Sequence, residues 1–163
     1  MIDKELPTTD AINVFNLKNI SHIAIKCSNL SKTINFYCVV LGLIPIERPQ
    51  FGYPGAWLAN HDGNPIIHLY GGRQGLASNG NPFSETGSID HVSIMCEGFT
   101  ELLSRLTSNH IDWREFKVPN TDLYQVFCYD PNGVLLELTF LSSSERLSER
   151  NYLEKKYIAG ESF

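Results

Sequence analysis

The sequence predicts an α+β fold of two tandem βαβββ modules. Two observations carry this reading: an internal repeat at an offset of 69 residues, and one order of elements shared by both repeat units. Ile20-Ser21-His22-Ile23-Ala24-Ile25-Lys26-Cys27 resembles Ile89-Asp90-His91-Val92-Ser93-Ile94-Met95-Cys96, with Ile, His and Cys coinciding. The same offset lays Ile66-Ile67-His68-Leu69 on Leu135-Leu136-Glu137-Leu138, and Asn60-His61-Asp62-Gly63 on Tyr129-Asp130-Pro131-Asn132. Strand starts often look alike, but matches near both ends of a unit, without a gap, mark a duplicated unit.

In the first unit, Ile20 to Cys27 alternates and is rich in Ile, the pattern of a strand. Ser28 and Asn29 are helix-cap types; an apolar stripe follows at Leu30, Ile34, Tyr37 and Leu41, and Gly42 stands at the expected stop. Three short strands follow at about 43–49, 55–60 and 65–70, separated by Gly52-Tyr53-Pro54 and Asp62-Gly63-Asn64. The second unit repeats this order. It has a strand at about 89–96, a helix at about 99–109 burying Leu102, Leu103 and Leu106, and strands at about 112–118, 123–129 and 133–140. The chain thus divides into an N-terminal arm (1–19), module one (20–71), a Gly-, Ser- and Asn-rich linker (72–88), module two (89–140) and a tail (141–163). Ser142 three residues before Glu145 has capping-box spacing and predicts a helical tail. On that helix Leu147, Leu153 and Tyr157 face the body, while Glu145, Arg146, Glu149, Arg150, Glu154, Lys155 and Lys156 are solvated.

Composition bounds the function. With 163 residues, 42% apolar and 19% charged, the chain suits one globular domain or two small modules sharing a core. A formal net charge of −5 repels polyanions on average and argues against a nucleic-acid partner. No apolar run has the length of a bilayer span, so no membrane partner is expected. The start, Met1-Ile2-Asp3-Lys4-Glu5, lacks the pattern of a secretory signal. The cysteines Cys27, Cys38, Cys96 and Cys128 form no C-x-x-C pair and read as free thiols of a reducing cytoplasm.

Side chains alternate across a strand, so each first strand sets an Ile/Val face against a face bearing a histidine and a small neighbour: His22 with Ala24, and His91 with Ser93. That second face resembles a cleft wall more than a filled core. Glu137 lies inside the apolar run Val134-Leu135-Leu136-Glu137-Leu138, where a carboxylate is costly unless paired or bound to a cation. His68 holds the equivalent place in module one. A lone strand histidine is ordinarily a satisfied structural residue. Three histidines and a carboxylate at symmetric positions favour a metal site, with His22, His68, His91 and Glu137 converging between modules related by a pseudo-two-fold axis. Such a set suits a first-row divalent ion, and two His plus one carboxylate suit non-haem Fe(II) in particular. His61 and His110 fall in turns and read as surface residues.

The opening His22-Ile23-Ala24-Ile25, the phrase Phe36-Tyr37-Cys38-Val39-Val40-Leu41-Gly42-Leu43 and Trp57-Leu58 before Ile67-His68-Leu69 are one half of a family pattern. Asp90-His91-Val92 and Asp130-Pro131-Asn132-Gly133-Val134-Leu135-Leu136-Glu137-Leu138 are the other half. Over residues 20–140 the sequence resembles the vicinal oxygen chelate superfamily, the glyoxalase, bleomycin-resistance and extradiol-dioxygenase group. The resemblance implies a curved mixed sheet around a metal cleft, with His22, His91 and Glu137 at the metal positions and His68 at the fourth. It implies a divalent ion (Fe, Ni, Zn, Mn or Co), a small-molecule substrate and often a homodimer, with modules paired within a chain or exchanged between chains.

His68 departs from the Glu of glyoxalase I and the Gln of methylmalonyl-CoA epimerase, and could match a catalytic His of extradiol dioxygenases. Phe127 stands where those dioxygenases, and fosfomycin-resistance enzymes, carry Tyr; Lys117 and Arg146 stand near the basic residues of the latter. The function implied is a metal-dependent, glyoxalase-like enzyme that chelates a small oxygenated molecule through two oxygens, of lyase or isomerase type. The alternatives are a ring-cleaving or other non-haem Fe(II) dioxygenase, a fosfomycin-resistance-like transferase, or a non-catalytic drug-binding module. Retention of the three ligand residues argues against the last. His68 serves as fourth ligand or as catalytic acid/base. Trp57, Tyr70, Lys117, Tyr124, Gln125 and Phe127 are the candidate substrate-binding residues. Phe51, Tyr53, Arg48, Arg73 and Arg114 are weaker ones.

Overall fold

The computed structural model describes residues 17–83, 86–147, 150–151, 153–161 and 163. Most of the predicted N-terminal arm, residues 1–16, lies outside the described residues. Module one runs β1 (Ile23–Lys26), α1 (Leu30–Asn35), β2 (Ile44–Ile46), β3 (Gly55–Ala59) and β4 (Ile67–Tyr70). Module two runs β5 (Val92–Met95), α2 (Phe99–Ser108), β6 (Arg114–Lys117), β7 (Leu123–Tyr129) and β8 (Leu135–Leu141). Each builds its own four-stranded mixed sheet, in the orders β1-β4-β3-β2 and β5-β8-β7-β6. The βαβββ order is therefore present twice, and within one chain it makes two sheets rather than one continuous sheet.

The Asn29 side chain caps α1 by accepting from the Lys32 N–H at 2.9 Å. The helix then widens into a π-helical segment, Phe36–Val40, which buries Phe36, Tyr37 and Val40. Gly42, at φ 72°, ends it in the left-handed region. A Cβ at this position would lie 2.9 Å from the mobile guanidinium end of Arg105 on α2, which could shift aside, so the positive φ is what calls for glycine here.

The modules pack back to back. Ile25, Tyr37, Leu58 and Leu69 of module one share one core with Leu106, Tyr124, Val126, Leu136 and Phe140 of module two. The Tyr37 hydroxyl donates to Asp130 at 3.2 Å, and the Asn132 amide donates to Thr33 Oγ1 at 3.1 Å. Asp130 also accepts from the backbone N–H groups of Asn132 and Val134, so one buried carboxylate sets the β7–β8 turn and pins module one to it. The opposite face of sheet two carries a separate apolar cluster of Phe127, Leu135 and Tyr157, joined by Phe116 and Phe163.

The tail departs from the predicted helix. Among the described residues of the tail, α-helix is limited to one turn, Ser142–Glu145 (α3), ending at Arg146 with φ 57°. Glu145 does not close a capping box. Its carboxylate accepts from the N–H groups of Gly98 and Phe99 at 2.7 and 3.1 Å and caps α2, whose N-cap glycine has no side chain to do so. Leu147 and Tyr157 are buried as predicted, whereas Leu153 is exposed in a short 3-10 turn, Leu153–Lys155. Arg150 is not merely solvated. It clamps Glu115, a carboxylate only 1% exposed, through Nε to Oε2 at 2.6 Å and Nη2 to Oε1 at 2.9 Å. Tyr124 and Trp113 donate to the same carboxylate.

Burial alone would push the Glu115 carboxyl up, but the hydrogen bonds from Arg150, Tyr124 and Trp113 outweigh it and hold the group below 4.5. A carboxylate with a depressed folded-state value contributes stability above its unfolded value and loses it as pH falls through the folded one. Arg150→Met therefore destabilises the fold by about 2 kcal/mol at neutral pH, less than a fully buried pair because Arg150 is part-exposed. Urea unfolding measures this. The deficit shrinks below about pH 4.5, where wild type loses the same contribution; a midpoint equal to wild type at pH 7 contradicts it.

Candidate metal and substrate site

The site is built from the sheet faces turned away from the common core. In module two, register pairs Ser93 with Glu137 and Phe127 with Glu137, and Gln125 with Thr139, so all five share one face with His91 just before β5. The Ser93 and Thr139 hydroxyls donate to Oε1 of Glu137 at 2.6 and 2.9 Å. That oxygen is satisfied. The other, Oε2, lies 3.2 Å from Nε2 of His91.

Asp90 Oδ1 stands 2.7 Å from His91 Nδ1, which favours the tautomer with its proton on Nδ1. The Nε2 lone pair then faces the free carboxylate oxygen. Two electron-pair donors 3.2 Å apart match two ligands of one cation, since bonds of about 2.1 Å at near-right angles separate the donors by about 3 Å.

Module one supplies a second pair. The His68 ring stacks on His22 at 3.8 Å between centroids and on Trp57 at 4.4 Å, so the imidazole is sandwiched. His68 is buried, and its Nε2 has no hydrogen-bond partner. Burial, then the neighbouring His22 and Arg48 charges, push its pKa below 6.5 and keep the ring neutral. The Ser21 hydroxyl lies 2.8 Å from Nδ1 of His22, which orients that ring. An orphaned, buried imidazole nitrogen beside a second imidazole is also the donor chemistry of a divalent-ion site.

The four residues form two pairs and not the single cluster that symmetry predicts. Among the described residues, no three His, Cys, Asp or Glu side chains lie close enough to hold one metal ion. The reason is the back-to-back packing: each ligand face looks outward from the shared core.

The predicted substrate residues divide in the same way. Trp57 and Tyr70 lie on the His68 face, and Tyr70 meets Tyr53 edge-on at 5.5 Å. Arg48 lies over Phe51 and Tyr53 at 4.9 and 5.2 Å from the ring centres, making an aromatic and cationic wall. Phe127 and Gln125 lie on the Glu137 face, and Phe127 meets His91 edge-on at 6.0 Å.

Tyr124 does not line this face. It is 1% exposed on the core side of sheet two and bonded to Glu115. Lys117 pairs in register with Tyr124 and so shares its side of the sheet. Arg114 lies on the other side with Phe127, where it bonds Asp112 and sits over Phe163. His61 and His110 are exposed, as their turn positions predict. Sequence reasoning missed the hydroxyl pair Ser93 and Thr139, and Asp90. Each lies one or two residues from a candidate ligand, and that spacing was the available signal.

Comparison with known proteins agrees with this architecture. The sequence profile of the Glyoxalase/Bleomycin resistance protein/Dioxygenase superfamily matches residues 19–138. A curated relative, Glyoxylase I 4 of Arabidopsis thaliana, is 30% identical over 136 residues, covering 79% of this chain and 74% of that protein. A glyoxylase/bleomycin resistance protein/dioxygenase domain from Frankia sp. EAN1pec superposes with a TM-score of 0.62 at 18% identity, covering 85% of this chain and 99% of that one. The genomically encoded fosfomycin resistance protein of Listeria monocytogenes superposes with a TM-score of 0.56 at 17% identity, covering 81% and 100%. These likenesses to solved structures speak for the fold, while the profile and the curated relative identify the lineage: the chain belongs to the Glyoxalase/Bleomycin resistance protein/Dioxygenase superfamily.

Proposed function

We propose that the protein is a divalent-metal-dependent, glyoxalase-like enzyme of lyase or isomerase type that acts on a small oxygenated molecule. The observation that carries the reading is the His91–Glu137 pair. One carboxylate oxygen is saturated by two hydroxyls, and the other lies 3.2 Å from Nε2 of His91, whose Nδ1 is engaged by Asp90. His22, His91 and Glu137 would hold the ion. A bound divalent ion supplies a Lewis acid for two substrate oxygens. Asp90 and Ser21 fix the two ligand rings, and Ser93 and Thr139 fix the carboxylate. His68, held neutral at its Nε2, takes up and returns the substrate proton. The Trp57, Tyr53 and Tyr70 rings exclude water, and Arg48 faces an anionic group. A second reading makes His68 the fourth ligand, and its close stacking on His22 favours that one.

The two donor pairs meet when two copies associate. β1 bonds only β4 and β5 bonds only β8, so each is an edge strand of its sheet, open on its outer side among the described residues. Ile20, Ile89 and Met95, on or just before those edges, are exposed. On this reading, module one of one copy faces module two of the other, in a homodimer with two sites.

Protein purified without chelator is expected to carry about one metal ion per chain, and Glu137→Gln to lose most of it. Elemental analysis near zero in wild type assigns the pair to an ordinary ion pair and removes the enzyme reading. His68→Gln retains the metal but loses turnover if His68 is the base, and loses the metal if it is a ligand. Co-expression of His22→Ala and Glu137→Gln chains tests the shared site. The mixed dimer has one site with both defects and one with neither, so purified heterodimer is expected to bind one ion. Sites contained within single chains would leave every site in the heterodimer defective.

A further inference from the structure

The C-terminal strap ends on the face of module two that carries His91 and Glu137. Tyr157 stacks on Phe127 with ring centroids 3.7 Å apart and planes 9° from parallel. Phe127 is itself the register partner of Glu137 and the edge contact of His91. Tyr157 is thus one ring removed from the candidate ligand pair.

The strap is fixed on both sides of this residue. The Tyr157 N–H donates to the Glu115 carbonyl at 2.8 Å, on the residue whose carboxylate holds Arg150. Lys155 bonds Asp112 at 2.6 Å. Phe163 closes over Tyr157 edge-on at 6.4 Å and lies 5.0 Å from Tyr129. The phenol is therefore positioned before any ligand arrives, without the entropy cost of ordering a mobile side chain.

The hydroxyl is surplus to that packing. A phenylalanine would make the same stack. Among the described residues the hydroxyl makes no hydrogen bond, and it is not one of the buried unpartnered polar atoms, so the ring is packed while the hydroxyl reaches the open face. Burial, with the charges of Asp90 and Glu137 nearby, pushes the phenol up, so it is a proton donor at neutral pH. From this geometry we infer that the strap forms one wall of the site and that Tyr157 contacts the substrate, its hydroxyl donating a hydrogen bond to an oxygen of a small, oxygen-rich ligand bound beside His91 and Glu137. The inference rests on the metal reading above and names a specificity residue for it.

The test uses the full chain loaded with cobalt(II) and titrated with acetohydroxamate, a bidentate oxygen ligand, followed by visible absorption. Tyr157→Phe is expected to keep the wild-type cobalt content and melting temperature while raising the hydroxamate Kd about ten-fold, the loss of one charge-assisted hydrogen bond. Tyr129→Phe, which alters another ring beside the strap, is expected to leave the Kd unchanged. A fully loaded Tyr157→Phe protein with wild-type Kd overturns the inference and leaves the metal reading standing. A Tyr157→Phe protein that loses cobalt overturns it too, since the role is then structural. Wild-type protein that takes up no cobalt overturns both.

Discussion

A β-strand has two faces, and in each module one of them is committed to the core that the modules share. Ile67 and Leu69 on β4, and Leu136, Leu138 and Phe140 on β8, fill that core. Strict alternation then forces His68 and Glu137 to the other side. A one-residue slip of β8 would bury the carboxylate among leucines, at a cost no partner there could offset. On its own face Glu137 is satisfied by Ser93, Thr139 and His91, all brought to it by the β5–β8 register. The Tyr37–Asp130 and Thr33–Asn132 bonds fix which way the modules turn, and so which way the ligand faces look.

Much of this is legible in the sequence because duplication removes the usual ambiguity of a short apolar run. A lone Ile-x-His-x-Ile could be many things. The same phrase twice, each time followed at a fixed distance by a second polar residue in an apolar strand, locates both ends of a module. Legibility fails where alternation fails. In β7, Tyr124, Val126, Phe127 and Cys128 are all buried, so periodicity does not say which side faces the site. Tyr124 and Lys117 accordingly lie on the core side, while Phe127 and Gln125 lie on the other. The tail fails for another reason. Its capping-box spacing is real, but Glu145 finds better donors at the bare N-terminus of α2, and Arg150 finds a buried carboxylate. Tertiary partners of that strength override a local helix signal.

The separation of the donor pairs is likewise a tertiary fact. A pseudo-two-fold relation between modules is compatible with faces turned toward one another or away. The repeat is the same in both cases; only the shared core distinguishes them. β1 and β5 are edge strands, open on their outer side among the described residues, and they are the strands that His22 and His91 immediately precede. An open strand edge and, on the proposed metal reading, a half-filled ligand set are both incomplete structures. Here they coincide on the same two strands, and exposed Ile20 and Ile89 lie beside them. Edge-to-edge association of two copies would cover the open hydrogen-bonding groups and bring a second pair of donors to each site in one step. On that arrangement oligomerisation and metal binding are thermodynamically linked, so that each strengthens the other by the same factor. The strap then has a defined place, because it lines module two from the β6 side and leaves the β5 edge open for the partner.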